Sequence, residues 1–318
     1  HTLTFIAHKP GLLTGEALDY RGELSCDALG TTAPEARGTL IDLATVREWL
    51  KPREPNSHKG DYGTVSIIGG QRGMVGAALL SARAALYCGA GKVRVGLLAS
   101  DAPSVDLTHP ELMLGSVDDA LGEGVAVAGP GAGRSPSATS VSMFERNVLP
   151  ALFHLPRPIV LDADALNAIA FSAPLARDLA ARTRGPTILT PHPGEAARLL
   201  RQETAQVNAD RLAAALAIAS RFNAHVVVKG AGSVCASPDG RFGINTTGNP
   251  GLATAGSGDV LAGIVGALLA QGLDPVHALQ AAVCVHGAAA DACVARGSGP
   301  KGLTASEVAL AAREVLNQ

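Results

Sequence analysis

The stretch Thr64-Val-Ser-Ile-Ile-Gly-Gly-Gln-Arg-Gly-Met-Val-Gly-Ala-Ala-Leu-Leu-Ser-Ala-Arg-Ala-Ala-Leu-Tyr-Cys88, followed by Lys92-Val-Arg-Val-Gly-Leu-Leu98, decides the fold. Residues 64–68 are a short, largely apolar run that ends in glycine, the mark of a strand covered on both faces. Residues 75–88 form a helix of alanines and leucines, and a second apolar run follows within a few residues. The unit is strand, helix, strand, and its crossover makes the two strands parallel. The same alternation continues downstream. Strands are expected at 124–128, 158–161, 187–189 and 225–229, with helices near 138–149, 164–182, 194–201 and 207–221. The fold class is therefore α/β, a mostly parallel central sheet flanked by helices on both faces. Residues 234–236 and 241–245, joined by Ser237-Pro-Asp-Gly240, read as a hairpin added at a sheet edge. Helices over 258–271, 275–295 and 305–316 make up the C-terminal third, the second opened by Asp274 as N-cap and Pro275 at the first helical position.

Working outward, the chain has 318 residues, 47% of them hydrophobic, and a net charge of −2. That is enough for one large α/β domain or two smaller ones, and it offers no field for nucleic acid or an acidic membrane surface. Aromatic residues make up 3% of the chain, too few to build stacking platforms for bases. No uninterrupted apolar run reaches the roughly 18 to 20 residues of a membrane span, and no basic-then-apolar leader opens the sequence. Cys26, Cys88, Cys235, Cys284 and Cys293 show no metal-binding spacing and read as buried free thiols, which suits a cytoplasmic protein. Residues 2–7 alternate like a strand without an initiator Met, and Gly30-Thr-Thr-Ala-Pro-Glu-Ala-Arg-Gly38 reads as a linker. Residues 1–38 are thus expected to be the tail of a preceding module plus a linker, and 39–318 the main domain, opened by a helix from Leu43 to Leu50 with Asp42 as its cap.

In sheets of this kind ligands bind beyond the carboxyl ends of the strands, and six loops there are rich in glycine or polar residues. The first carries Gly69, Gly70, Gly73 and Gly76 but spells neither a P-loop nor a sound dinucleotide fingerprint. Gly129-Pro-Gly-Ala-Gly133 is an ordinary turn cluster or a place where backbone approaches a ligand. In Leu161-Asp-Ala-Asp-Ala-Leu-Asn167, Asp164 suits an N-cap, while Asp162 can hold a ribose hydroxyl or a hydrated metal. Thr190-Pro-His-Pro-Gly-Glu195 fixes His192 between two prolines; Glu195 either caps the next helix or faces Mg²⁺ through water. Lys229, Gly230, Ala231, Gly232 and Ser233 can meet phosphate or adenine. Last comes Asn245-Thr-Thr-Gly-Asn-Pro-Gly-Leu-Ala-Thr-Ala-Gly-Ser-Gly-Asp259, which runs straight into an apolar helix. Small residues before a helix start make an anion cradle. A carboxylate in that place serves the helix N-terminus, meets phosphate through a metal, or takes a proton from an incoming nucleophile.

Gly69-Gly70 with Met74-Val-Gly-Ala-Ala78, Asp162-Ala-Asp-Ala-Leu-Asn167, Thr190-Pro-His-Pro-Gly-Glu195, Val228-Lys-Gly230 and Asn249-Pro-Gly-Leu-Ala-Thr-Ala-Gly-Ser-Gly-Asp259 together resemble the NAD(P)H-hydrate dehydratase family, a branch of the ribokinase-like fold, over roughly residues 45–316. The first 30 or so residues resemble the C-terminal end of an NAD(P)H-hydrate epimerase domain, which precedes the dehydratase in bifunctional repair proteins. The resemblance implies removal of water from the S epimer of hydrated NADH or NADPH, driven by ADP or ATP with Mg²⁺, in a homo-oligomer. It implies Asp259 as the catalytic base. It assigns the nucleotide to Lys229, Gly230, Ala231, Gly232, Ser233, Asn249, Pro250, Gly251, Leu252, Ala253, Thr254, Ala255, Gly256, Ser257 and Gly258. Ala77, Gly131, His192 and Asp259 would contact the hydrated dinucleotide; the position of Asp162 just beyond its strand adds it as a candidate there, and Glu195 stays a candidate to reach a metal through water. Ser257 stands where the wider fold often has alanine, a departure of little weight if the backbone N–H does the work. The alternative is a sugar or vitamin-precursor kinase of the same fold, whose chemistry is the same up to the phosphorylated product.

Overall fold

The computed structural model describes residues 1–32, 36–133 and 142–318. In chain order the strands are β1 (Thr2–Phe5), β2 (Leu24–Asp27), β3 (Gly38–Ile41), β4 (Thr64–Gly69), β5 (Lys92–Leu97), β6 (Met113–Gly115), β7 (Val125–Ala128), β8 (Ile159–Leu161), β9 (Thr187–Leu189), β10 (His225–Val228), β11 (Val234–Ala236) and β12 (Phe242–Asn245). The helices are α1 (Ala17–Tyr20), α2 (Leu43–Trp49), α3 (Val75–Tyr87), α4 (Val117–Ala120), α5 (Leu149–His154), α6 (Asp164–Phe171), α7 (Ala173–Ala180), α8 (Pro193–Leu200), α9 (Thr204–Ala209), α10 (Arg211–Phe222), α11 (Ser257–Ala270), α12 (Pro275–Ala295) and α13 (Ala305–Leu316).

A ten-stranded sheet runs in the order β3-β12-β11-β10-β9-β8-β7-β4-β5-β6. Every neighbouring pair in it is parallel except the two that involve β11. From β4 the chain steps outward to β5 and β6, then returns to lay β7 on the other side of β4 and continues the opposite way. The strand order therefore reverses between β4 and β7, the place beyond whose strand ends open sheets of this kind bind ligands. Alternate residues of the central strands enter two different cores. Val65, Ile67, Val127, Val160, Ile188 and Val227 pack with α3, α11, α12 and α13; Ile68, Ala128, Leu161, Leu189, Val226 and Val228 pack with α5 to α10. Each buried Val, Ile or Leu among them contributes about 1.5–3 kcal/mol by leaving water, which is why these runs read as continuously apolar. Helix α12 is long and apolar enough to cross a membrane by length and composition, yet most of it lies buried between the sheet and its neighbouring helices.

Several expectations change. The hairpin β11–β12 is not at the edge, because β3 pairs in parallel with β12 and takes that place. Gly38, expected to end a linker, starts β3; a Cβ there would lie 2.3 Å from the Phe242 ring, so glycine lets the two strands close. Part of the expected linker, residues 33–35, lies outside the described residues, as does the start of the helix expected at 138–149, whose described part is a wide turn at Phe144–Val148 followed by α5. The helix expected over 164–182 is two, broken at Ser172, whose side chain caps α7 at Leu175 ahead of Pro174. The one over 207–221 is likewise two, because Asp210 ends α9 and caps α10. Cys26 is exposed, since the separate parallel pair β1–β2 has no second layer over it; the other four cysteines are buried and free.

Candidate active site

The loops that follow β4, β7, β8, β9, β10 and β12 all leave the same end of the sheet. Helix α11 begins there. Its N-cap is Gly256 at φ 86, a left-handed conformation, and a Cβ at that position would stand 2.6 Å from Leu80 Cδ1. Glycine has no side chain to cap with; the Ser257 N–H makes a long 3.4 Å bond to the Thr254 carbonyl, and among the described residues the Gly258 and Asp259 N–H groups of the first turn are left for a ligand. A Cβ on Gly258 would be 3.0 Å from Lys229 Nζ and 3.8 Å from Asp162 Oδ2. That contact brings the loops after β8 and β10 to the head of α11.

Lys229 Nζ donates to Asp162 Oδ1 at 3.0 Å, and Thr190 Oγ1 donates to the same oxygen at 2.7 Å. The Asp162 carboxyl is buried, while Lys229 keeps 20% of its side chain exposed. Burial opposes the charge on Lys229, yet the carboxylates of Asp162, Glu195 and Asp259 outweigh it and hold the ammonium above its ordinary value. Asp259, in the first turn of α11, makes no hydrogen bond with its carboxyl among the described residues. Burial pushes it up to about 7, with Asp162, Asp164 and Glu195 adding to the rise and Lys229 opposing it. Glu195 is also driven to about 7, first by burial.

His192 and Glu195 close the start of α8. His192 Nδ1 accepts from the Gly194 N–H at 3.0 Å, and Glu195 Oε2 accepts from the His192 N–H at 2.9 Å. Burial, then Lys229, lowers the His192 pKa, so the ring is neutral at pH 7 with its proton on Nε2, which faces Glu195 Oε1 at 3.4 Å. Glu195 thus caps the helix. Asp164 does not: the N-cap of α6 is Ala163, at φ 51 and ψ −111, a strained position for a side-chain-bearing residue between the two aspartates. Asp164 instead is the first helical residue, and its Oδ2 accepts from the Gly133 N–H at 2.9 Å. Gly131 packs on the start of α3: a Cβ on it would lie 2.5 Å from the Met74 carbonyl oxygen and 2.9 Å from Ala77 Cβ. Ala77 and Gly131 are therefore neighbours, and Asp162 stands at the base of the same loop, its N–H donating to the Ala128 carbonyl at 3.1 Å.

The remaining candidates lie on two further loops. In Lys229–Ser233 the serine hydroxyl accepts from the Gly230 N–H at 3.1 Å and donates to the Gly230 carbonyl at 2.9 Å, closing the turn. Arg211 Nη1 donates to the Ala231 carbonyl at 2.6 Å. In Asn249–Gly258, the Asn249 side chain accepts from the Gly251 N–H and donates to Asp291, whose other oxygen accepts from the Gly248 N–H at 2.8 Å. Leu252 starts the run Ala253, Thr254 and Ala255 that leads to Gly256.

Sequence reasoning missed Arg211, Asp291 and His286. His286 Nε2 lies 3.2 Å from Ser257 Oγ. Burial, with Lys229 nearby, takes this imidazole down to about 4, so it is neutral. The serine side chain is thus engaged, and alanine there would remove this partner of His286 Nε2. The only available signal was a polar side chain interrupting the apolar run of α12. Among the described residues no three His, Cys, Asp or Glu side chains group to hold a metal by themselves. The oxygen donors around Lys229 suit a hard cation that arrives on phosphates.

The chain is similar to known proteins over most of its length. A family model described as NAD(P)H-hydrate dehydratase matches residues 65–309. The chain is 44% identical over 275 residues to the ADP-dependent (S)-NAD(P)H-hydrate dehydratase of Neisseria meningitidis, covering 85% of this chain and 90% of that protein. It is 40% identical over 327 residues to the bifunctional NAD(P)H-hydrate repair enzyme Nnr of Escherichia coli, of which it spans 60%. Its structure resembles the ADP/ATP-dependent NAD(P)H-hydrate dehydratase of Bacillus subtilis co-crystallised with ATP and Mg²⁺, with a TM-score of 0.74 and 31% identity over 88% of this chain and 98% of that one. A ribokinase-like superfamily protein of Enterococcus faecalis shares the fold, with a TM-score of 0.75 at 24% identity. With the family model covering most of its length, the chain belongs to the NAD(P)H-hydrate dehydratase family.

Proposed function

We propose that the chain is an ADP- or ATP-dependent dehydratase that converts the S epimer of hydrated NADH or NADPH back to the reduced dinucleotide. The observation that carries this reading is the uncapped start of α11 with Asp259 in its first turn and the Lys229–Asp162 pair against it. A ring hydroxyl is a poor leaving group, and phosphorylation makes it a good one. Asp259 takes the hydroxyl proton as the oxygen attacks the terminal phosphorus of the nucleotide; the bond to the nucleotide's bridging oxygen breaks, and the shortened nucleotide leaves. The N–H groups of Ala255, Gly256, Ser257 and Gly258 balance charge on the transferred phosphoryl group. The C–O bond to the ring then breaks, phosphate departs, and loss of a proton from the adjacent ring carbon forms the double bond. Asp259, with a pKa of about 7, is suited both to accept the first proton and to release it at neutral pH.

Lys229 lies where it can steady nucleotide phosphates, and Asp162 and Thr190 hold it there. Loops Lys229–Ser233 and Asn249–Gly258 would hold the adenine nucleotide, and Ala77, Gly131, Asp162 and His192 the hydrated dinucleotide. Mg²⁺ bound with the phosphates would neutralise their charge, with Asp162 and, through water, Glu195 as its protein oxygens. On the same reading residues 1–38 are the end of an epimerase domain, supported by the greater length of the bifunctional relative, and the protein acts in the cytoplasm as a homo-oligomer.

The test is direct. The protein is incubated with hydrated NADH and Mg²⁺, ADP or ATP is added, and the reduced-nicotinamide absorbance is followed. Its return with either nucleotide is expected. Phosphorylated product that accumulates without it would make the chain a small-molecule kinase instead.

A further inference from the structure

The loop assigned to the nucleotide is not shaped by the main domain alone. Pro10–Leu12 form a short turn. Within the N-terminal segment it is braced twice: Thr14 Oγ1 donates to the Pro10 carbonyl at 3.0 Å, and Arg21 Nη1 to the Leu12 carbonyl at 2.9 Å. The next residues meet the loop. Leu13 is only 7% exposed and joins the core that holds Val228 and Val234, the two residues flanking Lys229–Ser233. The Gly15 N–H donates to the Ala231 carbonyl at 3.0 Å, the same oxygen that Arg211 reaches. Gly232 adopts φ 66, and a Cβ there would lie 1.9 Å from the Leu13 carbonyl oxygen and 3.0 Å from Thr14 Cα. Backbone therefore rests on backbone, with no side chain between to absorb movement. The N-terminal side of these contacts, residues 10–21, lies upstream of residues 65–309, the part matched by the family model.

We propose that residues 10–15 are a positioning element for the nucleotide, with Leu13 and Gly15 holding Lys229–Ser233 in the shape that accepts it. The inference rests on the reading that this loop binds the adenine nucleotide. Pre-shaping a loop lowers the entropy lost on binding, so its loss weakens affinity without touching the reacting groups. Among the described residues no hydrogen bond joins Leu13 or Gly15 to Asp259, Asp162 or His192, so the effect should fall on one substrate. Displacement of the N-terminal segment by a preceding domain would change the nucleotide requirement and leave the chemistry at Asp259 alone.

The experiment uses Leu13→Ala and Arg21→Ala in the full chain, with ADP binding by calorimetry and steady-state kinetics. Expected are a rise of roughly tenfold in ADP Kd and KM, and kcat at saturating ADP and KM for hydrated NADH within about twofold of the parent. Leu13→Met should restore ADP affinity. Unchanged ADP Kd in both folded variants overturns the proposal, as does an equal loss in both KM values together with Tm, which would mark general loosening. Ser233→Ala separates this from the parent reading. If it weakens ADP while the Leu13 and Arg21 variants do not, the positioning role fails alone; if none of the three weakens ADP, the assignment of the loop falls with it.

Discussion

Helices α8 and α11 both start at the carboxyl end of the sheet, and both carry an acid three residues after the N-cap. In α8 the acid is Glu195 and the cap is His192, and the two side chains accept from the Gly194 and His192 N–H groups of their own helix start. In α11 the acid is Asp259 and the cap is Gly256, which has nothing to offer. Both carboxyls are driven to about 7, mainly by burial. What separates them is engagement: one N-terminus is closed on itself, as are those of α4 and α13 with their own capping boxes, while that of α11 is left for a ligand. A helix start closed on itself and one proposed to serve catalysis thus differ here by a single side chain at the cap.

The strongest way to break the comparison is Asp259→Asn. Turnover should fall by on the order of 10² or more, the usual worth of a positioned general base, while ADP binding measured by calorimetry persists. Stability should move the other way. Between the ordinary carboxylate value of 3.8 and about 7, the folded protein keeps a proton that the unfolded chain has released, so stability drops as pH rises through that window. Asparagine removes the penalty, and at pH 8 the variant should melt about 2 °C or more above the parent. Retained dehydration would remove Asp259 from its assigned role.

Next in size is Gly256→Ser, which gives α11 the capping serine that α4 has. Closing the cradle should cost about 10² in kcat, comparable to losing one oxyanion donor, and the strain at φ 86 with the Leu80 contact should lower the melting temperature. An unchanged kcat would show that the open N-terminus is not what α11 contributes. In the parent enzyme, kcat/KM should decline about tenfold per pH unit below about 7, because protonation of Asp259 removes the base. A flat profile down to pH 5 would contradict that.

Most of this architecture was legible because the central strands are buried on both faces and the helices between them are long. The short strands were not. β3 and β6 span four and three residues, too few for a period to show, and β3 exists because Gly38 lets Phe242 lie over it. The site loops were legible as glycine and polar clusters at strand ends. Their ties were not, since they join residues far apart in sequence: Lys229 to Asp162, Asn249 to Asp291, Ser257 to His286. Asp164 misled because an aspartate before an apolar run ordinarily caps a helix, and here a strained Ala163 holds that place and turns Asp164 to the Gly133 N–H.

The mildest change sharpens the comparison from the α8 side. Glu195→Gln keeps an oxygen for the His192 N–H, so the cap of α8 should survive and Tm should hold; Glu195→Ala, which cannot cap, should cost about 0.5–2 kcal/mol. The Gln variant removes only the charge. Glu195 is one of the groups that raise the pKa of Asp259, although burial and Asp162 weigh more. With that charge gone, Asp259 ionises more readily, and the acid limb of kcat/KM should move to lower pH. At pH 8, where Asp259 is ionised in either protein, kcat should change by less than about tenfold, since Glu195 is not the base. If Glu195 also reaches Mg²⁺ through water, the same variant should need more Mg²⁺ for half-maximal rate. A limb that stays in place would mean that the two acids, though both buried beside Lys229, titrate independently, and the contrast between α8 and α11 would then rest on the cap residue alone.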